Sequence, residues 1–142
     1  MVQWLFISLL YIAQAGLQQD PSDLVVVIQG IRNQSGALRV CLFNEEEGFP
    51  SKAERALFIK NLPISADRME LTFPGLAPGR YAVSVLHDEN EDGKMSFSWI
   101  GFPKEGYACS NDAKGVLGPP QFEKASFELD FPRTTQVLTM RY

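Results

Sequence analysis

Basic residues are in deficit in this chain. Thirteen lysines and arginines stand against 17 aspartates and glutamates, for a formal net charge of −4, and none of the 13 precedes Arg32. A mildly acidic chain without a basic stripe argues against nucleic acid and anionic membrane as partners. Histidine is scarcer still: His87 is alone. An enzyme normally assembles several convergent polar groups in one pocket, so candidates for catalysis are few. Cys41 and Cys109 are the two cysteines, enough for one disulfide at most. A helical hydrophobic period, an internal repeat and any sign of a second domain are also missing. At 142 residues the chain makes one domain with one sizeable core.

Long apolar runs are absent too, and the longest falls short of the about 20 residues a membrane-spanning helix needs. It covers residues 1–15 and ends Ala13-Gln14-Ala15, which reads as a signal-peptide apolar region with a small-x-small cleavage site. Only the α-amine supplies charge ahead of it. The same run read otherwise is a first core strand or an uncleaved anchor. Cleavage after Ala15 leaves residues 16–22 as a linker and 23–142 as the domain, exported to the periplasm or the extracellular space. There Cys41 and Cys109 meet an oxidising compartment, as a disulfide or as two separate buried thiols. Asn33-Gln34-Ser35 matches a glycosylation sequon, of consequence only in a eukaryotic secretory host.

What the chain does have is alternation. Leu24, Val26 and Ile28 share one face of a strand and Val25 and Val27 the other, a pattern expected of burial on both sides. Leu38, Val40 and Leu42 follow after a turn at 30–36. Residues 44–55, with Glu45-Glu46-Glu47, read as a solvated loop or short helix. A short strand is expected at 56–60. Met69, Leu71 and Phe73 then alternate with polar residues, and 74–79 is rich in turn-forming Pro and Gly. Tyr81, Val83, Val85 and His87 line one face of the next strand. Ala125, Phe127, Leu129 and Phe131 line another, and Leu138, Met140 and Tyr142 a last. About seven short strands with frequent turns predict an all-β Greek-key sandwich, prealbumin-like or immunoglobulin-like.

Between Asp88 and Phe122 no strand is legible. A stretch longer than about 15 residues without structure of its own is usually functional or disordered. This one carries Phe97, Trp99, Ile100, Phe102, Tyr107, Val116 and Leu117, too much apolar surface for a disordered tail. It must pack on itself or on the sandwich. Its opening has the pattern of a calcium loop: Asp88, Asn90 and Asp92 at positions one, three and five, Gly93 at six, the Lys94 carbonyl at seven and Ser96 at nine. Position twelve, where a bidentate glutamate belongs, is Trp99. That excludes a standard EF-hand and leaves Glu105 or Asp112 to supply the missing carboxylate. Calcium is the expected cation; the alternative is a metal-free turn whose Asp and Asn side chains bond backbone amides. His87, Phe97, Trp99, Phe102 and Tyr107 are the candidate binding surface, although such aromatics also serve as anchors to the domain.

At this point the residues resemble a known family. His87-Asp88-Glu89-Asn90 with Gly93-Lys94, then Gly101-Phe102-Pro103-Lys104-Glu105-Gly106-Tyr107, Ser110-Asn111 and Gly118-Pro119-Pro120-Gln121-Phe122, are similar to the signature of the DUF2141 family of exported bacterial proteins. Residues 73–83 resemble its central strand motif, and the likeness covers residues 24–142. The resemblance implies an exported prealbumin-like or carboxypeptidase-regulatory-like sandwich and brings no established activity. The chain departs from the family at Ser96, where an aspartate is expected, which removes one carboxylate from the loop. The central motif is also similar to that of transthyretin-like hydrolases, but those need several histidines.

The expectation is therefore a non-catalytic exported module that binds a protein or envelope component through residues 88–122. The alternative is a hydrolase using His87 and the loop carboxylates. Cleavage after Ala15 predicts that the exported chain begins at Gly16, which an intact-mass measurement of secreted protein reads directly.

Overall fold

The computed structural model describes Gly16, residues 19–96 and residues 101–142, so the run at 1–15 lies outside the described residues. The alternating stretches become strands. In chain order they are β1 (Ser22–Gln29), β2 (Ala37–Phe43), β3 (Phe58–Pro63) and β4 (Arg68–Leu76). There follow β5 (Arg80–Asp88), β6 (Tyr107–Cys109), β7 (Phe127–Glu128) and β8 (Arg133–Thr139). One sheet has the order β4-β1-β8, with β1 antiparallel to β4 and parallel to β8. The other runs β3-β2-β5-β6, and β7 shares the outer edge of β5 with β6.

Side chains of a strand alternate between its faces, and the core follows from that. Leu24, Val26 and Ile28 of β1, Leu38, Val40 and Leu42 of β2, Leu71 and Phe73 of β4, Val83 and Val85 of β5 and Leu138 of β8 form one buried cluster between the sheets. Burying each of the larger side chains contributes about 1.5–3 kcal/mol. Val25 and Val27, on the opposite face of β1, are buried as well. Their in-register neighbours are Thr72 and Glu70 on β4 and Thr135 and Val137 on β8. The outer face of the larger sheet holds a second, smaller cluster: Ala82, Cys109 and Ala125, covered by Phe49, Ala113 and Phe122.

The all-β sandwich read from the alternation is the fold that forms, with eight strands described. Three local expectations are corrected. The third strand begins at Phe58, because its pairing with β2 starts where Phe58 meets Leu42, after a 3₁₀ turn at Ala53–Arg55. The stretch from 88 to 122 is not strandless: β6 lies inside it, held to β5 by pairs such as Ser84 with Cys109 and Leu86 with Tyr107. The strand expected at 125–131 is mostly replaced. Residues Phe122–Ala125 form a single helical turn, α1, only Phe127–Glu128 pair with β5, and Phe131 is exposed.

The disulfide reading is also corrected, because Cys41 and Cys109 are both free and buried. Cys41 pairs with Ser84 across β2 and β5, and Ser84 pairs with Cys109 across β5 and β6. The two thiols are thus two strand spacings apart, roughly 9–10 Å, whereas a disulfide needs Cα atoms within about 7 Å. Burial pushes both thiols up, Cys109 to about 12, and for Cys41 the Arg39 guanidinium partly opposes the rise. Neither thiol should react with Ellman's reagent in the native protein at pH 8, and two per chain should react in denaturant. The thiol pKa is raised only in the folded state. The contribution to stability is therefore complete below the unfolded thiol's value of about 9 and is lost as pH climbs towards that of the folded state. A urea midpoint that falls between pH 8.5 and 10.5, and falls less in Cys109→Ala, is the expected result.

Candidate functional site

β5 ends in His87 and Asp88, which point to opposite sides because the strand alternates. His87 goes inward and is fully buried. Its Nε2 lies 2.8 Å from the Ser35 carbonyl and its Nδ1 lies 2.8 Å from the Tyr142 hydroxyl. A carbonyl oxygen only accepts, so Nε2 carries the proton and Nδ1 accepts from Tyr142. The Tyr142 oxygen in turn accepts the Arg32 amide at 3.1 Å. Both ring nitrogens are used, and the ring has no exposed surface to offer a substrate. His87 is an anchor, the hydrogen-bonded structural part that its place on one face with Tyr81, Val83 and Val85 favours, and it is not among the residues that line a surface.

Asp88 goes the other way, into the loop. Its Oδ1 accepts the Asp92 amide at 3.1 Å and its Oδ2 the Gly93 amide at 2.7 Å. The backbone can curl onto it because Glu91 and Gly93 are both left-handed, with φ of 57° and 74°. Gly93 is also pressed against Arg39, whose Nη1 would lie 3.1 Å from any Cβ added there. At the root of the loop Gly36 passes so close to Asp88 that a Cβ would fall 2.0 Å from its carbonyl oxygen. A side chain at position 36 would push β2 and the start of the loop apart.

Glu105 closes the loop from its far end. It is buried, and its two oxygens accept the Glu89 amide at 3.1 Å and the Ser96 amide at 3.0 Å. Asp92 is exposed and accepts the Lys94 amide at 2.9 Å. The Asn90 amide nitrogen donates to Asp92 at 3.2 Å and to the Ser96 hydroxyl at 3.3 Å. Asp88, Asp92 and Glu105 thereby come together, one oxygen from each lying within 4.8 Å of the others. Among the described residues none of the three forms a salt bridge.

That donor set suits a hard cation. Each ionised carboxylate has about four lone-pair positions, so the amide bonds leave capacity for a metal. Three oxygens no more than 4.8 Å apart share a point at most roughly 2.8 Å from each. Calcium–oxygen bonds run at about 2.3–2.6 Å, whereas magnesium demands about 2.0–2.1 Å in near-ideal octahedral geometry. A small inward movement suits calcium; magnesium needs a larger one. Asn90, Asp92, Lys94 and Ser96 lie on the same turn, where the Lys94 backbone amide donates to Asp92.

The remaining candidates scatter. Phe97 and Trp99 lie outside the described residues. Phe102 is 66% exposed, and Tyr107 is half-buried on β6, its backbone bridged to Arg141. Asp112 is not at the loop: its carboxylate accepts the Thr139 amide at 2.8 Å. Clefts of about 420 Å³ (Gln19, Asp20, Pro21, Gly75, Ala77, Pro78) and about 240 Å³ (around Lys114, Val116 and Lys124) contain none of His87, Asp88, Asp92 or Glu105. Sequence reasoning missed the seam beside β6. There the fully buried Ser110 hydroxyl accepts the Val83 amide at 2.8 Å and donates to the Ala125 carbonyl at 2.5 Å. Asn111 follows, its side-chain amide bonding the Lys124 and Ser126 carbonyls.

Residues 26–137, from β1 into β8 and across the whole loop, match the model of a protein family described as "Uncharacterized protein conserved in bacteria (DUF2141)". No curated protein and no solved structure matches the chain. His87→Ala should destabilise the domain by about 2–4 kcal/mol, since it removes a fully buried ring with both its hydrogen bonds and opens a cavity, and Tyr142→Phe by about 1 kcal/mol. Urea unfolding measures both, and a fully stable His87→Ala would sink the assignment of His87 as an anchor.

Proposed function

Taking as premise that the chain belongs to the DUF2141 family, uncharacterized proteins conserved in bacteria, we propose that it is a non-catalytic module braced by calcium. Its segment 88–122 meets a protein or envelope partner, and residues 1–15 direct it out of the cytoplasm. One observation carries the calcium reading: Asp88, Asp92 and Glu105 each bring an oxygen within 4.8 Å of the others. Two of these carboxylates are buried, and no salt bridge offsets them among the described residues. Buried charges are normally paired or coordinate a metal. A bound dication supplies that charge and ties the end of β5 to the segment entering β6, with the Asn90 carbonyl, the Lys94 carbonyl and the Ser96 hydroxyl as further oxygen donors. Zinc is a poorer fit, because His87 faces the core and the cysteines lie on another row of the sheet.

The partner reading is supported by what the segment leaves outside. Phe102 is 66% exposed, Val116 88% and Leu117 100%. Binding residues are disproportionately carried on loops positioned by a rigid scaffold, and exposed apolar groups there can supply contact surface. No helix among the described residues is long and apolar enough to cross a membrane. Export is supported by the composition of residues 1–15 alone.

Thermal unfolding in EDTA against rising calcium tests the reading. Sites of this kind in extracellular modules bind at around 10⁻⁴–10⁻³ M, so the titration must reach tens of millimolar. At 100-fold over the dissociation constant the expected stabilisation is about 2.7 kcal/mol. It should be lost in Asp88→Asn and Glu105→Gln, which keep the shape of the side chains. An equal shift in those variants, or none in the parent, would reject the cation site.

A further inference from the structure

Arg32 sits in the connection between β1 and β2, far in sequence from the loop, yet it touches both limbs of it. Its Nε donates to the Glu89 carboxylate at 2.9 Å, and its Nη2 makes a salt bridge to the same oxygen. That Nη2 also donates to the Lys104 carbonyl at 3.1 Å. Glu89 opens the first limb, next to Asp88; Lys104 belongs to the second, next to Glu105. The guanidinium carbon lies 4.3 Å from the centroid of the Tyr142 ring, whose hydroxyl is fixed by His87 and by the backbone amide of Arg32 itself.

We propose that Arg32 is a positioning residue that latches the two limbs of the 88–106 loop and so sets the spacing between Asp88 and Glu105. The inference rests on the calcium reading for its effect on affinity, but the latch has its own structural consequence. A guanidinium presents several donors in a rigid plane, which lets one side chain serve a carboxylate and a carbonyl while stacking on an aromatic ring. A lysine has three donors on a single nitrogen and no planar fork, so it cannot reproduce this spread of contacts. The ligating carboxylates are untouched by the change, so a loss of affinity in Arg32 variants reports positioning alone. Outer partners that orient metal ligands typically change affinity by about 10–100-fold when removed.

Three measurements on the full domain decide it. In EDTA, amide hydrogen exchange of Glu89 to Ser96 should quicken in Arg32→Ala, with the amides of β1 and β2 unchanged; equal exchange overturns the latch. In calorimetric titration with calcium, Arg32→Ala and Arg32→Lys should both bind at least about tenfold more weakly than the parent. Restoration by lysine would mean that charge alone, rather than the fork, is at work, and would overturn the proposal. Combined with Glu89→Ala, Arg32→Ala should add little further loss, since removing the Glu89 carboxylate already frees the first limb from the latch; fully additive losses would overturn it. If the parent takes up no calcium, the calcium reading fails. The latch is then decided by the exchange result alone, in the same two directions.

Discussion

The pairing register of β2 with β5 is the constraint on which the rest depends. It runs without a slip from Ala37 opposite Asp88 to Phe43 opposite Ala82. Because the side-chain period is two, a shift of one residue would turn every side chain of β5 to the other face. His87 would then point at solvent and Asp88 into the hydrophobic core. The same register sets Ser84 opposite Cys41 and brings the carboxylate of Asp88 to the mouth of the loop. The anchor beneath the loop and the acidic group within it are thus two consequences of one alignment.

The polar groups inside this domain are joined to backbone from distant parts of the chain. His87 ties β5 to the turn at Ser35 and to Tyr142, and Glu105 ties the limb before β6 to Glu89 and Ser96. Ser110 ties the segment after β6 to β5 and to α1. Leaving any of these buried partners unmade costs about 1–3 kcal/mol per group. Such bonds therefore choose one arrangement of the long segment over others that would bury as much apolar surface. Shape in this region is specified by polar contacts more than by packing.

That division explains what was legible in the sequence. β1, β2, β4 and β5 were readable because each buries an alternating row of Leu, Val, Ile or Phe, a signal contained within seven to nine consecutive residues. β6 was not, since three residues are too few to show a period and its place is set by backbone pairing with β5. Ala125 misled for a related reason: it is the buried last residue of a single helical turn, and one buried alanine does not tell a turn from a strand. In the loop, Asp88, Asn90 and Asp92 stood out through their spacing, and Glu105 could be singled out as a nearby carboxylate. Arg32 could not, because its partners Glu89 and Lys104 lie 57 and 72 positions away. The structural part of His87 was readable only in outline, from its place among Tyr81, Val83 and Val85.

The hydroxyl of Ser110 has one more consequence. β6 and β7 cover different lengths of the outer edge of β5, and Val83 falls between them. Its N–H points outward, where in an ordinary sheet a further strand would accept it; here Ser110 accepts it instead. A side chain takes the place of a missing backbone carbonyl. Unpaired edges invite strands from other molecules, and at the break between two short strands this one is sealed. The fold is thereby protected from edge-to-edge association at the point where its own ladder is interrupted.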